Sequence, residues 1–87
     1  MKTVYNPDEA NRFAAWLDEE SGRVMLDLRD TAKVLTDLQS SWNDAKYNDY
    51  MRTFDASTEA LARFREHAER YVAYLRKKSA YVKEYLG

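Results

Sequence analysis

Residues 40–47 read Ser-Ser-Trp-Asn-Asp-Ala-Lys-Tyr. A large apolar ring sits among small polar side chains, midway along a chain of 87 residues that has only two glycines and one proline. Ser41-Trp42-Asn43-Asp44 has the spacing of a capping box. The Ser41 hydroxyl is placed to accept from the amide of residue 44, and the Asp44 carboxylate to reach back to the Ser41 amide. The stretch therefore predicts a turn at about 40–44 that joins two helices, the second starting at about Trp42. At such a bend the helix ends expose unpaired backbone groups and a last apolar layer. Trp42 is expected to cover Leu38 and the Tyr47 ring while its indole N–H reaches a carbonyl or water.

Upstream, the only proline, Pro7, follows Asn6 and precedes Asp8 and Glu9. Asn is a good N-cap, proline suits the first helical position, and acids there favour the helix dipole. Helix 1 is therefore read over about 7–40. Its weak point is Ser21-Gly22, where glycine costs about 1 kcal/mol relative to alanine; the apolar spacing continues in phase across it, with a kink left open. Downstream, neither proline nor glycine interrupts residues 45–86, and helix 2 is read over about 42–86. Strand-type alternation and low-complexity segments are lacking, so residues 1–87 form a single all-α domain, a helix-turn-helix hairpin.

Both segments carry heptads. In helix 2 the series are Tyr47, Phe54, Leu61, Ala68, Leu75, Val82 and Tyr50, Ser57, Phe64, Tyr71, Lys78, Tyr85. In helix 1 they are Ala14, Ser21, Leu28, Leu35 and Ala10, Leu17, Val24, Thr31, Leu38. A sustained 3-4 spacing indicates helices packed at small crossing angles. Folding at 41–44 pairs residues whose numbers sum to about 85. Ala14 then faces Tyr71, Ser21 faces Phe64, Leu28 faces Ser57, Thr31 faces Phe54, Leu17 faces Ala68 and Ala10 faces Leu75. Each layer sets small against large, as constant packing density requires. The expected seam is Leu17, Val24, Leu28, Leu35 and Leu38 against Phe54, Leu61, Phe64, Tyr71 and Leu75.

A two-helix hairpin has little interior, and apolar side chains remain on its flanks. Phe13, Met25, Val34, Met51, Val72, Tyr74 and Tyr81 form the candidate dimer or partner face, an apolar band beyond what a monomer usually exposes. A second hairpin alongside would complete a four-helix bundle, either as a homodimer or with a paralogous partner. The composition agrees: aromatics are 14% of residues although mean hydropathy is −0.78, and small chains without disulfides often gain stability by oligomerising.

Other classes find little support. There is no cysteine, hence no disulfide, thiolate metal site or cysteine nucleophile. The lone histidine, His67, stands beside Glu66 and Glu69, which do not line one helical face with it, whereas zinc needs three well-placed ligands. No nucleophile–base constellation or Gly-rich phosphate loop occurs, so neither an enzyme nor a cofactor is expected. Net charge is −1, which argues against nonspecific nucleic-acid binding. The charge is divided, however. Residues 1–44 hold nine acidic and five basic side chains, a net of −4, and residues 45–87 hold six and nine, a net of +3. Opposite halves suit a chain that folds back on itself. Within the basic half, Arg76-Lys77-Lys78 with Arg70 and Lys83, interleaved with Tyr74, Tyr81 and Tyr85, is the one candidate anion-binding patch. Lys78 is expected to pack its stem in the seam and extend its ammonium towards Asp8 or Glu9. No apolar run reaches the ~18 residues of a membrane span, and MKTVYNPDEA lacks a signal-peptide core. A cytoplasmic protein, or one secreted without a cleaved signal, is expected.

A helical hairpin of about ninety residues with tryptophan at its bend resembles the WXG100 (ESAT-6-like) family. Trp42-Asn43-Asp44 stands where that family has Trp-x-Gly, so aspartate replaces the glycine. Apolar and aromatic positions after the turn, Tyr47, Tyr50, Phe54, Leu61 and Phe64, add to the likeness, and the ending YVAYLRKKSAYVKEYL is similar to that of a bacterial branch with a Trp-x-Asp turn. The resemblance implies a bacterial, non-enzymatic protein associated with type VII (ESX-like) secretion: a secreted substrate, or a dimeric partner that escorts a larger effector. It also implies an export signal, Tyr-x-x-x-Asp/Glu, after helix 2; Tyr81 is followed four residues on by Tyr85, and the signal is not found. The alternative is a cytosolic helical adaptor or regulator that takes an anionic ligand at the basic end of helix 2.

Overall fold

The computed structural model describes residues 4–86. Two helices, α1 (Pro7–Leu38) and α2 (Ala45–Tyr85), pack antiparallel along their lengths. The hairpin measures 61 × 23 × 14 Å. Its thickness is close to the 10–12 Å of one helix with side chains, so it is a single layer.

Local chemistry sets the helix ends. Asn6 caps α1: its Oδ1 accepts from the amides of Asp8 (3.0 Å) and Glu9 (3.2 Å). At the far end the amides of Ser41 and Trp42 donate to the Leu38 carbonyl, at 3.0 and 2.9 Å. The Ser41 hydroxyl donates to the same carbonyl, at 3.2 Å. Ser41 therefore closes α1 rather than opening α2, which corrects the capping-box assignment. The cap of α2 is Asp44, whose carboxylate accepts from the Tyr47 amide at 2.9 Å. The helix begins at Ala45, three residues later than the spacing suggested. With the Ser41 and Trp42 amides committed to α1, an acceptor further on was needed for the new helix. No described residue has positive φ, and Asp44 is extended; this reversal has no use for a glycine.

Tyr47 performs much of the sealing expected of Trp42. It is 2% exposed, and its hydroxyl donates to the Leu35 carbonyl across the hairpin at 2.6 Å. Trp42 meets its ring edge-on, at 5.4 Å and 72°, and keeps about a third of its own surface in solvent.

The axial register is the expected one. Cross-hairpin hydrogen bonds join Tyr5 and Pro7 to Ser79, Ser21 to Arg65, and Leu35 to Tyr47, pairs whose numbers sum to 82–86. Rotation about each axis differs from the expected one. The series Ala14, Ser21, Leu28, Leu35 and Tyr47, Phe54, Leu61, Ala68, Leu75, Val82 do face the partner helix, buried or half-buried. The companion rows are those four residues further on, not three: Asp18, Met25 and Ala32 on α1, and Met51, Thr58, Arg65, Val72 and Ser79 on α2. At 100° per residue, this turns each seam by about 50°.

Several assignments change in consequence. Val24, Leu38, Phe64 and Tyr71, expected in the seam, are exposed. Val72, expected on the partner face, is 4% exposed inside the hairpin, and Met25 and Met51 are half-buried there. The reason is size. The most deeply buried positions include Ala14, Ser21, Ala68 and Ser79, which let the backbones approach closely. A Phe64 or Tyr71 ring does not fit between them. Ala14, Val72 and Leu75 form the tightest cluster, with Tyr5, Ala10 and Leu17 packed against it.

Arg65 was not foreseen in the seam. Its NH1 donates to the Asp18 carbonyl (2.8 Å) and to Ser21 Oγ (2.5 Å), and pairs with Asp18 Oδ1 (3.2 Å); its Nε pairs with Glu69 (2.9 Å). The guanidinium crosses over Gly22. α1 runs unbroken through that residue.

Two outcomes follow from this packing. A Cβ added at Gly22 would meet the Arg65 guanidinium at 3.6 Å, ordinary contact distance. Gly22→Ala should therefore gain up to ~1 kcal/mol of helix propensity, raising Tm by roughly 4–8 °C in a domain of this size; an unchanged or lower Tm by circular dichroism would contradict the helix assignment there. Val72→Glu places a charge without a partner inside the hairpin. At roughly 3–5 kcal/mol it should reduce the helical signal itself, and a fully helical, equally stable variant would show that Val72 is not in the seam.

Candidate interaction face

Turning the seam leaves the two broad sides of the hairpin chemically different. Positions three on from the seam rows, and those just before them, fall on one side of both helices, because an antiparallel pair mirrors the sense of rotation. On α1 these include Ala10, Phe13, Leu17, Val24, Val34 and Leu38. On α2 they include Tyr50, Phe64, Tyr71, Tyr74, Tyr81 and Tyr85. Leu17 of α1 lines a shallow groove of about 460 Å³ with Phe64, Tyr71 and Tyr74 of α2, which places the two sets together. The rings contact one another along the side: Phe13 stacks on Trp16 at 6.0 Å, Tyr71 on Tyr74 at 6.1 Å, and Tyr81 leans on Tyr85 at 4.9 Å.

The opposite side is polar. It carries Arg12, Glu19, Arg29 and Lys33 on α1, and Asp55, Glu59, Glu66, Glu69, Arg76 and Lys83 on α2, with Leu26 as an isolated exposed apolar residue. Ion pairs cross the hairpin at its edges: Lys83 holds Asp8 at 2.7 Å, and Arg76 stands 3.9 Å from Asp18. The Lys83 ammonium, chiefly by hydrogen bonding, keeps the Asp8 carboxyl below its ordinary range. The pair is thus intact above that range and is lost as pH falls through the lowered value.

Of the expected partner face, Phe13, Val34, Tyr74 and Tyr81 are on this aromatic side and exposed, while Met25, Met51 and Val72 belong to the seam. Conversely, Val24, Leu38, Phe64 and Tyr71 join the face from the expected seam. Of the turn residues, Ser41, Asn43 and Asp44 are exposed with Trp42 at the tip. Lys78 does not reach Asp8 or Glu9. Its ammonium lies over the Tyr5 ring at 4.6 Å and the Tyr74 ring at 5.9 Å, a cation–π arrangement that Tyr5 provides by docking on α2 through Leu75 and Ser79. Tyr74, Lys77, Lys78 and Tyr81 line a second open groove of about 420 Å³.

Among the described residues, no other group of side chains gathers into a chemical site. The His67 Nδ1 lies 2.9 Å from the Arg70 guanidinium on the exposed surface. Among the described residues no group of three His, Asp or Glu side chains is disposed to hold a metal ion, and no helix is long and apolar enough to cross a membrane. Comparison with protein families, curated proteins and solved structures finds no match to this chain.

Proposed function

We propose that this chain is a non-enzymatic helical-hairpin binding module of WXG100 type, which works by laying its aromatic side against the helices of a partner. The partner is a second copy, a paralogue or the helical part of a larger effector. In the bacterial type VII (ESX-like) setting that the resemblance implies, the role is that of a secreted substrate or of an escort of such an effector.

One observation carries this reading: a layer one helix thick leaves an aromatic side uncovered. Domains are built from two or more packed layers, and here the second layer must come from outside the chain. The broad side, 61 by 23 Å, offers more than the ~800 Å² per partner of a standard interface. Tyrosine and phenylalanine are the side chains that dominate such contacts. Most aromatics of the face lie along α2, where the family likeness lies.

A second reading, an adaptor for an anionic ligand, is favoured by one feature only, the groove of Tyr74, Lys77, Lys78 and Tyr81. It predicts binding of oligodeoxythymidine or anionic vesicles at low salt that fades as salt rises; no binding at low salt would remove it.

The interaction reading is tested at the exposed rings. Phe64→Glu with Tyr71→Glu, at positions 52% and 51% exposed, should leave helical content unchanged while abolishing self-association in sedimentation. A wild-type chain that is monomeric at high concentration, or a double variant that still associates, would contradict the covering of this face by a second copy.

A further inference from the structure

Tyr5 stands outside both helices, one residue before the Asn6 cap, yet it is bound to α2. Its hydroxyl donates to the Leu75 carbonyl at 3.2 Å and shares a hydrogen bond of 2.8 Å with the Ser79 hydroxyl. Ser79 in turn donates to the Pro7 carbonyl at 3.3 Å, and the Tyr5 ring packs against the Ala14, Val72 and Leu75 cluster. Val4 and Asn6, on either side, are exposed. Residues 4–7 thus form a strap across the open end of the hairpin, fastened by one phenol.

The strap also meets the basic segment of α2. The Lys78 ammonium lies 4.6 Å from the centre of the Tyr5 ring and 5.9 Å from that of Tyr74, and the residue is half-buried. Neighbouring cations are committed elsewhere: Lys83 to Asp8, Arg76 near Asp18, and Arg70 to His67. Lys77 and Lys78 are in no ion pair among the described residues. They are also the two cations that line the groove of about 420 Å³ with Tyr74 and Tyr81. Glu84, a turn beyond Tyr81, is not part of its wall.

This arrangement selects a ligand. Two ammonium groups with no carboxylate between them favour a doubly charged anion over a single carboxylate, and lysine binds phosphate as a point charge. Tyr74 and Tyr81, seven residues apart, stand about 10 Å apart along the helix axis, which leaves room for one planar group beside a ring. A lysine gives up rotamer freedom when it binds. Lys78 has given up part of it already to the Tyr5 and Tyr74 rings, so Tyr5 adds affinity without touching the ligand.

We infer that this groove takes a compact phosphate monoester carried on a planar ring, and that the strap is part of the site, with Tyr5 the positioning residue for Lys78. This rests on the anionic-ligand reading above and names its ligand class and its control. Phenyl phosphate is the probe, titrated at low salt and followed by amide NMR shifts. The full chain should give saturable shifts centred on residues 74–81 that shrink as salt rises, and benzoate should bind more weakly. Lys78→Met should weaken binding roughly tenfold. Tyr5→Leu keeps an apolar side chain on the cluster but no ring beneath the ammonium, and should weaken it roughly threefold or more. Tyr5→Phe keeps the ring and loses the hydroxyl. Without ligand it should speed hydrogen exchange at residues 75–86 and leave residues 45–65 unchanged, and equal exchange throughout would overturn the strap. No saturable shift in the wild-type chain would overturn the inference together with the anionic-ligand reading. Wild-type binding that Tyr5→Leu leaves undiminished would overturn the role of the strap and leave that reading standing. Benzoate matching phenyl phosphate, or binding of oligodeoxythymidine or anionic vesicles alone, would overturn the ligand class.

Discussion

The close approach of two long helices through Ala14, Ser21, Ala68 and Ser79 governs the rest of this molecule. Each is at most 4% exposed, and together they set a close spacing that leaves no room between them for the Phe64 and Tyr71 rings, while Tyr47 and Phe54 enter the seam nearer the turn. The exclusion moves Phe64 and Tyr71 out of the seam, brings Val72 in, and gathers the rings on one side. A hairpin built on Leu or Phe at these positions would bury more apolar area per layer and show less of it to partners. Here internal packing and an exposed aromatic side are two results of the same choice of small residues.

Polar groups complete that seam where apolar ones do not suffice. The Ser79 hydroxyl shares a hydrogen bond with the Tyr5 hydroxyl and donates to the Pro7 carbonyl. Ser21 donates to the Leu17 carbonyl at 2.7 Å and accepts from Arg65. Buried hydroxyls with both functions satisfied cost little and fix register, because a shift along the axis would leave them unpaired. Arg65 extends the effect: its fork joins the Asp18 carbonyl, Ser21 and Glu69 over the gap left by Gly22. The glycine that looked like a weak point in α1 is also the place where a guanidinium from α2 lies down.

How far the sequence exposed this arrangement depends on which quantity is asked for. Helix existence and length were legible because Asn6-Pro7-Asp8-Glu9 announces a start and because residues 45–86 contain no breaker. The axial register was legible because only one fold-back point was on offer. The rotation was not legible. Positions +3 and +4 lie about 60° to one side and 40° to the other of their reference residue, so a heptad count fits both, and here both rows are apolar enough to serve. Volume decided between them, and a reading of small buried residues as close-contact sites would have found the answer. The start of α2 was missed for a related reason: Ser41 and Asp44 are both competent caps, and only the hydrogen bonds already claimed by the Leu38 carbonyl determine which is available. Arg65 was passed over because a charge in a seam row reads as an exposed one until its small neighbours Ser21 and Gly22 are set opposite.

The two sides of the layer differ in chemistry although the net charge of the chain is only −1. Apolar area drives association but does not orient it. Orientation comes from charges at the rim, where desolvation is slight and like-charge contacts are rejected. The halves of this chain differ in sign, and the hairpin places that difference across its width rather than along its length: residues 1–44 carry a net of −4 and residues 45–87 a net of +3. A partner that offers an acidic helix over α2 and a basic one over α1 fits.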